Sequence, residues 1–368
     1  MTPGATGTDM RVRVGGLDLA NPVMPASGTF AEGLDRVVDL SRLGAIVTKT
    51  ITRELREGNA LPRVAEVRGG MLNAIGIPSK GVAHFLGTTL PLYRAWGVPL
   101  VVSISAPTAE GFASLAAEIG VAGVAAIEAN ISCPNIEEDG RAFAMRAGST
   151  EAVVRRLRAA THLPLWVKLS PNTGEIAEVA QAAEAAGADA LVVANTMLAM
   201  SIDLATFRPS LGNVMGGLSG PALKPIVLRQ VYQCARAVRV AVIGCGGIAS
   251  AADAAEYMLA GAAAVQVGTA TFLDPHAMTG VIDGLDSFCA AHRIARVAEL
   301  TGALRPAGGS HPATPAPRPA DAPQPPAPES PTPESLTPES LTPESLTPEF
   351  PAPEFPAMKP PALEPNPA

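Results

Sequence analysis

The chain of 368 residues is 47% hydrophobic, 17% charged and 4% aromatic. That is enough apolar content for a large core of packed strands and helices, and four cysteines are too few for a disulfide-stapled fold. The net charge of −7 is unevenly placed: residues 306–368 carry eight acids and two bases, a balance of −6, which leaves the preceding body at −1. A near-neutral body lacks the dense basic face that binding to nucleic-acid phosphates demands.

Residues 1–9 are rich in Gly and Thr and lack the apolar run of a signal peptide. The most apolar stretch, 238–267, is interrupted by Asp253 and Glu256, so no membrane span is expected and the predicted location is cytoplasmic. Cys133, Cys234, Cys245 and Cys289 lie far apart with no CxxC pair, which argues against a zinc or iron–sulfur site on this chain. The expectation is no metal and one special thiol.

In chain order, a predicted β-hairpin comes first, 11–14 and 17–19 around Gly15-Gly16. Short apolar runs follow at 23–25, 45–48, 100–103, 125–130, 165–169, 190–194, 240–244 and 264–267. Ala-rich stretches with apolar residues at helical spacing separate the later runs, among them 174–186, 223–237 and 250–260. Eight strands linked by helices in about 295 residues predict a (β/α)8 barrel, with the hairpin capping its lower end. A doubly wound sheet is the rival, but it wants a Gly-x-Gly-x-x-Gly turn after the first strand, and residues 22–33 contain none.

Composition breaks near Arg305. Of the 36 prolines, 21 fall in the last 63 residues, where Ser-Leu-Thr-Pro-Glu repeats from Ser335, Ser340 and Ser345. Such a segment lacks backbone donors and apolar surface, so a disordered, partly polyproline-like tail over 306–368 is expected after a barrel domain over 1–305. An inert spacer is the simpler reading of the tail, and a docking element is the alternative.

Barrel chemistry gathers at the C-terminal ends of the strands. The first predicted strand runs into Ala26-Ser27-Gly28 and the second into Lys49-Thr50. The fourth runs into Asn130-Ile131-Ser132-Cys133-Pro134-Asn135, and the fifth carries Lys168. The sixth runs into Asn195-Thr196, the seventh into Gly246-Gly247 and the eighth into Gly268-Thr269. Glycines after strands seven and eight let backbone N–H groups approach a phosphate, with a helix N-terminus behind them that Ser250 can cap. Either pair alone is an ordinary tight turn. Both at these two strands point to a phosphorylated ligand.

Of nine asparagines, Asn73, Asn130, Asn135 and Asn195 fall in the proposed mouth. An amide offers donor and acceptor together and suits a ring with alternating N–H and C=O groups, although asparagine also favours turns for local reasons. Lys49 and Lys168 sit beside apolar strands, where an unpaired ammonium is costly, so an anionic ligand is one partner. An ion pair inside the barrel is the other reading for Lys168. A free cysteine is often only a small buried hydrophobe, which is the reading for Cys234 and Cys289, with Cys245 a bystander of the phosphate turn. Cys133 differs because Pro134 is expected to stop the strand and turn the thiol into the mouth, where it can act as base or nucleophile. No histidine stands at a strand end to make a Cys–His pair.

Six segments in this order and spacing carry a resemblance: Ala26-Ser27-Gly28-Thr29-Phe30, Thr48-Lys49-Thr50, Asn73-Ala74-Ile75-Gly76, Asn130 to Asn135, Gly217-Leu218-Ser219-Gly220-Pro221 and Gly244-Cys245-Gly246-Gly247-Ile248. Together they resemble the class 1 dihydroorotate dehydrogenases, particularly the class 1B catalytic subunit, over residues 10 to about 291. The resemblance implies an FMN barrel of pyrimidine biosynthesis. It implies FMN contacts at Ser27, Lys49, Thr50, Asn130, Lys168, Ala194, Gly220, Gly246, Gly247, Gly268 and Thr269. Dihydroorotate would meet Lys49, Asn73, Ala74, Ile75, Gly76, Ile77, Asn130, Asn135, Asn195 and Thr196, with Cys133 as the catalytic base removing the C5 proton.

The resemblance also implies a homodimer that joins an FAD/2Fe–2S subunit in a heterotetramer and passes electrons to NAD. That cluster and the FAD would sit on the partner, since this chain has neither clustered cysteines nor a dinucleotide fingerprint. A fumarate-reducing class 1A homodimer is the alternative, as is a related flavin barrel acting on another dihydropyrimidine. A tRNA dihydrouridine synthase would need a basic face. A vestigial barrel would not retain Cys133, Lys49 and Lys168. Two positions depart from the family pattern: Ser103 stands where relatives often have Asn, and Pro78-Ser79 where many carry a second Asn.

Overall fold

Eight buried apolar runs pair into one parallel sheet: β1 (Val23–Pro25), β2 (Ile46–Val47), β3 (Leu100–Ile104), β4 (Ala126–Asn130), β5 (Leu165–Lys168), β6 (Ala190–Val193), β7 (Ala241–Cys245) and β8 (Ala264–Val267). The computed structural model describes residues 7–30, 32–132 and 142–305. The chain divides into two units, Met1–Thr314 and Pro315–Ala368. The second unit and the expected tail from residue 306 lie outside the described residues, and all that follows concerns the first.

The spatial order is β1-β8-β7-β6-β5-β4-β3-β2. The ring closes where Gly44, just ahead of β2, donates its N–H to Val23 O of β1 at 2.9 Å. This is the expected (β/α)8 barrel, with the eight strands where the apolar runs stand. Strands buried on both faces read as continuous Val/Ile/Leu/Ala runs, which is why they are visible in the sequence.

The longer helices are α1 (Ala109–Ile119), α2 (Ala147–Ala160), α3 (Ile176–Ala185), α4 (Lys224–Ala237), α5 (Ala251–Leu259) and α6 (Ala277–Ala291). The first five connect successive strands from β3 to β8, and α6 follows β8 and packs back along β1. Helices α3, α4 and α5 occupy the three stretches expected to be helical. Helix α5 starts at Ser250 because the capping box is complete: Ser250 Oγ accepts from Asp253 N, and Asp253 Oδ2 accepts from Ser250 N at 2.9 Å. No helix among the described residues is long and apolar enough to cross a membrane.

The hairpin, Val12–Val14 paired antiparallel with Leu17–Leu19, plugs the end where the strands begin. Gly15 O accepts from Trp166 Nε1 at 3.1 Å. Gly15 has φ +49°, and a Cβ there would lie 2.4 Å from Trp166 Nε1 and 2.7 Å from Ala190 Cβ, so turn geometry and close packing both require glycine.

The opposite end carries a second, smaller sheet that periodicity did not reveal. Its four antiparallel strands run in the order Met197–Ala199, Gly216–Ser219, Gly70–Asn73, Val64–Val67. It joins the insertion after β2 to the insertion after β6, with Asn73 opposite Gly217.

Candidate active site

The side chains expected at the mouth come from the upper ends of different strands, and several meet. Beyond β2, the chain continues along β3: Thr48 N donates to Val101 O and Ile51 N to Ser103 O. This alternation turns Thr50 toward β3, where its hydroxyl meets Ser103 Oγ at 3.0 Å. Asn130, the last residue of β4, donates Nδ2 to Thr50 Oγ1 at 3.4 Å and accepts at Oδ1 from Ser132 Oγ at 2.6 Å. Asn195, just past β6, donates to Ser132 Oγ at 2.6 Å and Asn130 Oδ1 at 3.4 Å, while its own Oδ1 accepts from Thr196 N at 2.8 Å. Thr50, Ser103, Asn130, Ser132, Asn195 and Thr196 thus form one connected floor. Ser103, the departure from the family pattern, is a fully buried member of it.

Lys49, next to Thr50 in the chain, is half-buried. Burial lowers its pKa, and among the described residues no charge or hydrogen bond counteracts that shift. Lys168 Nζ, buried at the end of β5, donates to Ser27 Oγ at 3.1 Å and to Gln266 Oε1 at 3.3 Å. Gln266 in turn donates to Glu128 Oε2 at 2.6 Å. Lys168 thus meets two neutral oxygens and also bonds the Cys245 thiol, with the buried carboxylate one amide away.

The glycine turns after β7 and β8 stand as expected. Among the described residues no acceptor takes the N–H of Gly246, Gly247, Gly268 or Thr269. Gly247 has φ +69°, and a Cβ there would lie 2.8 Å from both Gly220 O and Lys224 Cβ. Tyr257, from α5, holds the turn from behind by donating its hydroxyl to Gly246 O at 2.6 Å. Lys224 is neutralised by Asp253 at 2.5 Å and Glu256 at 3.0 Å. Free N–H groups in a cradle that side chains would fill suit a phosphate, and the lysine and amide donors above suit a ring with anionic and carbonyl edges. The residues present therefore fit a flavin mononucleotide.

The remaining expected residues divide. Asn73 donates Nδ2 to Gly217 O at 3.2 Å and lines the small sheet. The hydrogen bonds of Ala74, Ile75 and Gly76 run outward: Ala74 O and Ile75 O accept from Asn59, and Gly76 O accepts from Arg56 Nε at 2.7 Å. Ile77 has φ +51°. Ala194, joined to Val193 by a cis peptide bond, donates its N–H to Cys245 O at 2.9 Å. Ser79, the other departure, accepts from Thr52 N and Gly81 N and so serves the loop itself.

Cys133 and Asn135 lie outside the described residues. The reason given for the position of Cys133 needs correction: β4 ends at Asn130, before Pro134. Ile131 N turns back to Ala129 O at 3.0 Å and Ser132 binds Asn130, so a tight polar turn ends the strand. The other thiols are buried. Burial pushes Cys234 up to about 12, and burial likewise raises Cys289. For Cys245 burial raises the pKa, the Lys168 charge opposes and the Glu128 charge adds.

Glu128, Gln266, Ser132 and Tyr257 were not singled out from the sequence. Two had a legible signal: Glu128 and Gln266 are the polar interruptions of the strands Ala-Ile-Glu-Ala-Asn and Ala-Val-Gln-Val, each two residues before a mouth residue and so on the same face.

A model of the dihydroorotate dehydrogenase family matches residues 9–289. The catalytic subunit of dihydroorotate dehydrogenase B (NAD(+)) from Trichlorobacter lovleyi is 49% identical over 298 residues, covering 80% of this chain and 98% of the relative. The protein of the same name from Desulforamulus reducens is 47% identical over 298 residues, with the same coverage. That from Porphyromonas gingivalis is 46% identical over 292 residues, 78% of this chain and 95% of the relative. Barrel, mouth and relatives agree: the chain belongs to the dihydroorotate dehydrogenase family and is similar within it to the class 1B catalytic subunits.

Proposed function

We propose that this chain oxidises (S)-dihydroorotate to orotate in pyrimidine biosynthesis, with FMN bound across the barrel mouth. The observation that carries this reading is the linked Asn130–Ser132–Asn195 floor at the upper strand ends, beside buried Lys168 and glycine turns whose N–H groups take no acceptor among the described residues. Ser27, Lys49, Thr50, Asn130, Lys168, Ala194, Gly220, Gly246, Gly247, Gly268 and Thr269 are the residues we assign to FMN. When bound, it supplies a two-electron acceptor at N5 for the hydride of substrate C6.

The rest of the chemistry falls to side chains of this chain. Lys49 balances the substrate carboxylate, and Asn73, Asn130, Asn135 and Asn195 offer paired donors and acceptors to the ring amides. The backbone of Ala74 to Ile77, with Thr196, completes the substrate contacts. Cys133 acts as the base at C5, taking up one proton as thiolate, and Lys168 places positive charge where the reduced ring carries negative charge. The relatives' names, each a catalytic subunit of an NAD(+) enzyme, support a partner subunit; we assign to that partner the FAD and 2Fe–2S cluster that lead to NAD, in a heterotetramer built on a homodimer. The domain reading keeps residues 1–305 as the catalytic barrel and 306–368 as a separate Pro/Glu-rich segment.

The test is an anaerobic titration of the FMN-loaded chain with dihydroorotate, followed by its visible spectrum. Bleaching of the flavin band supports the reading. Flavin that dihydroorotate leaves oxidised overturns it. Reoxidation by NAD only with the partner present supports the class 1B route, and direct reoxidation by fumarate overturns that route.

A further inference from the structure

The interior of a (β/α)8 barrel is ordinarily filled by Val, Ile and Leu. Here Glu128, Gln266 and Lys168, each exposed by 3% or less, occupy it beneath the mouth. Strands β4 and β8 stand four places apart in the eight-stranded ring, so the bond from Gln266 Nε2 to Glu128 Oε2 crosses the barrel. The orientation of Gln266 follows from its neighbours: an ammonium only donates and a carboxylate only accepts. Its oxygen therefore faces Lys168 and its nitrogen faces Glu128. Glu128 Oε1 is buried and finds no donor among the described residues. Charged groups held in this way give little stability compared with apolar residues of the same volume, and one incompletely satisfied gives less. Stability does not account for the network, but a demand on Lys168 does.

We infer that Glu128 and Gln266 are positioning residues acting through Lys168. The carboxylate, relayed by the amide, fixes where the Lys168 cation stands, offsets part of its charge and so sets the reduction potential of the flavin site. This rests on the reading that Lys168 faces FMN. The sign follows from electrostatics: removing the carboxylate charge leaves Lys168 less compensated, which favours the anionic reduced ring and raises the potential. Severing the relay with an apolar side chain acts in the same direction, because Lys168 loses the one acceptor that links it to Glu128 and keeps Ser27. A direct effect of Glu128 on the ring, without the relay, would leave a Gln266 variant at the wild-type value.

The experiment measures the midpoint potential and FMN affinity of the loaded wild-type chain and of Glu128→Gln and Gln266→Met. The first variant is isosteric and the second conserves volume. In both, the reduction equilibrium is expected to shift at least tenfold toward reduced flavin, about 30 mV for a two-electron couple, with FMN still bound. Unchanged or lowered potentials would overturn the inference. So would folded variants that no longer hold FMN, because the network would then be structural. A wild-type chain that takes up no FMN, or whose flavin dihydroorotate leaves oxidised, fails at the level of the proposed function. A wild type that is reduced normally beside variants of unaltered potential fails here alone.

Discussion

The two ends of the barrel are closed in different ways. At the lower end, the hairpin lays Gly15 against Trp166 and Ala190, and a single backbone acceptor satisfies the indole N–H. At the upper end, the second sheet brings Asn73 to Gly217, and the strands finish in amides and hydroxyls bonded to one another, with Lys168 held by Ser27. The lower end is a packing solution, where a misplaced methyl costs stability. Among the described residues, the upper end and the interior just beneath it retain half-buried Lys49, a buried carboxylate oxygen without a donor and four N–H groups without acceptors, none of which helps folding. The difference matches the division of labour of this fold, in which one rim holds the barrel together and the other carries the chemistry.

The comparison breaks most sharply if Cys133 is dispensable. Replacing it with Ala is expected to slow flavin reduction by dihydroorotate about 10²- to 10⁴-fold, the usual contribution of a positioned base, while FMN stays bound; stopped-flow absorbance at neutral pH decides it. The converse change is at the lower rim. Gly15→Val is expected to destabilise the fold by roughly 3 kcal/mol through overpacking and a positive φ, visible as a lowered denaturation midpoint. FMN affinity of the folded fraction should match the wild type, and lost affinity would mean that the two ends are coupled.

Lys49 sharpens the picture of the upper rim. Lys49→Met is expected to weaken orotate binding by about 2 kcal/mol, roughly thirtyfold, as a charge-assisted hydrogen bond is lost. Because burial lowers its pKa, the wild-type affinity should be full at neutral pH and fall as pH rises through a value below the ordinary lysine range. The Lys49→Met variant should lack that alkaline limb, and calorimetric titrations across pH read both. The smallest effect is expected at Asp253. Burial pushes its pKa up, but the hydrogen bonds from Lys224, Ser250 and Ala249 outweigh burial and hold the carboxyl below the usual range. Its contribution is therefore present at neutral pH and lost as pH falls through the depressed value. Asp253→Ala should cost about 1 kcal/mol of cap energy, with a larger loss of FMN affinity than Gly15→Val causes.

How far the sequence reached differs by element. The eight strands and helices α3 to α5 were legible because doubly buried strands are mostly apolar runs and exposed helices are amphipathic over many residues. The glycine turns, Asn130 and Asn195 were legible because they end or directly follow those runs. The small sheet was not: its strands are three or four residues long and partly exposed, two of them open on glycine, and Asn73 pairs with a residue 144 positions away. The reason offered for the end of β4 was wrong because the turn is made by Ser132 and Asn130 side chains.

The sequence by itself determined the barrel, the rim on which chemistry gathers and the residue types at each strand end, because those properties follow from local periodicity and from what directly succeeds a buried strand. Only the tertiary structure decided which of those residues touch. It linked Asn130 to Asn195, brought Thr50 to Ser103, and set Glu128 across the barrel from Gln266 and within one amide of Lys168. The physical reason is that a closed sheet makes neighbours of side chains far apart in the chain, and a hydrogen bond across its interior leaves no periodicity in either strand.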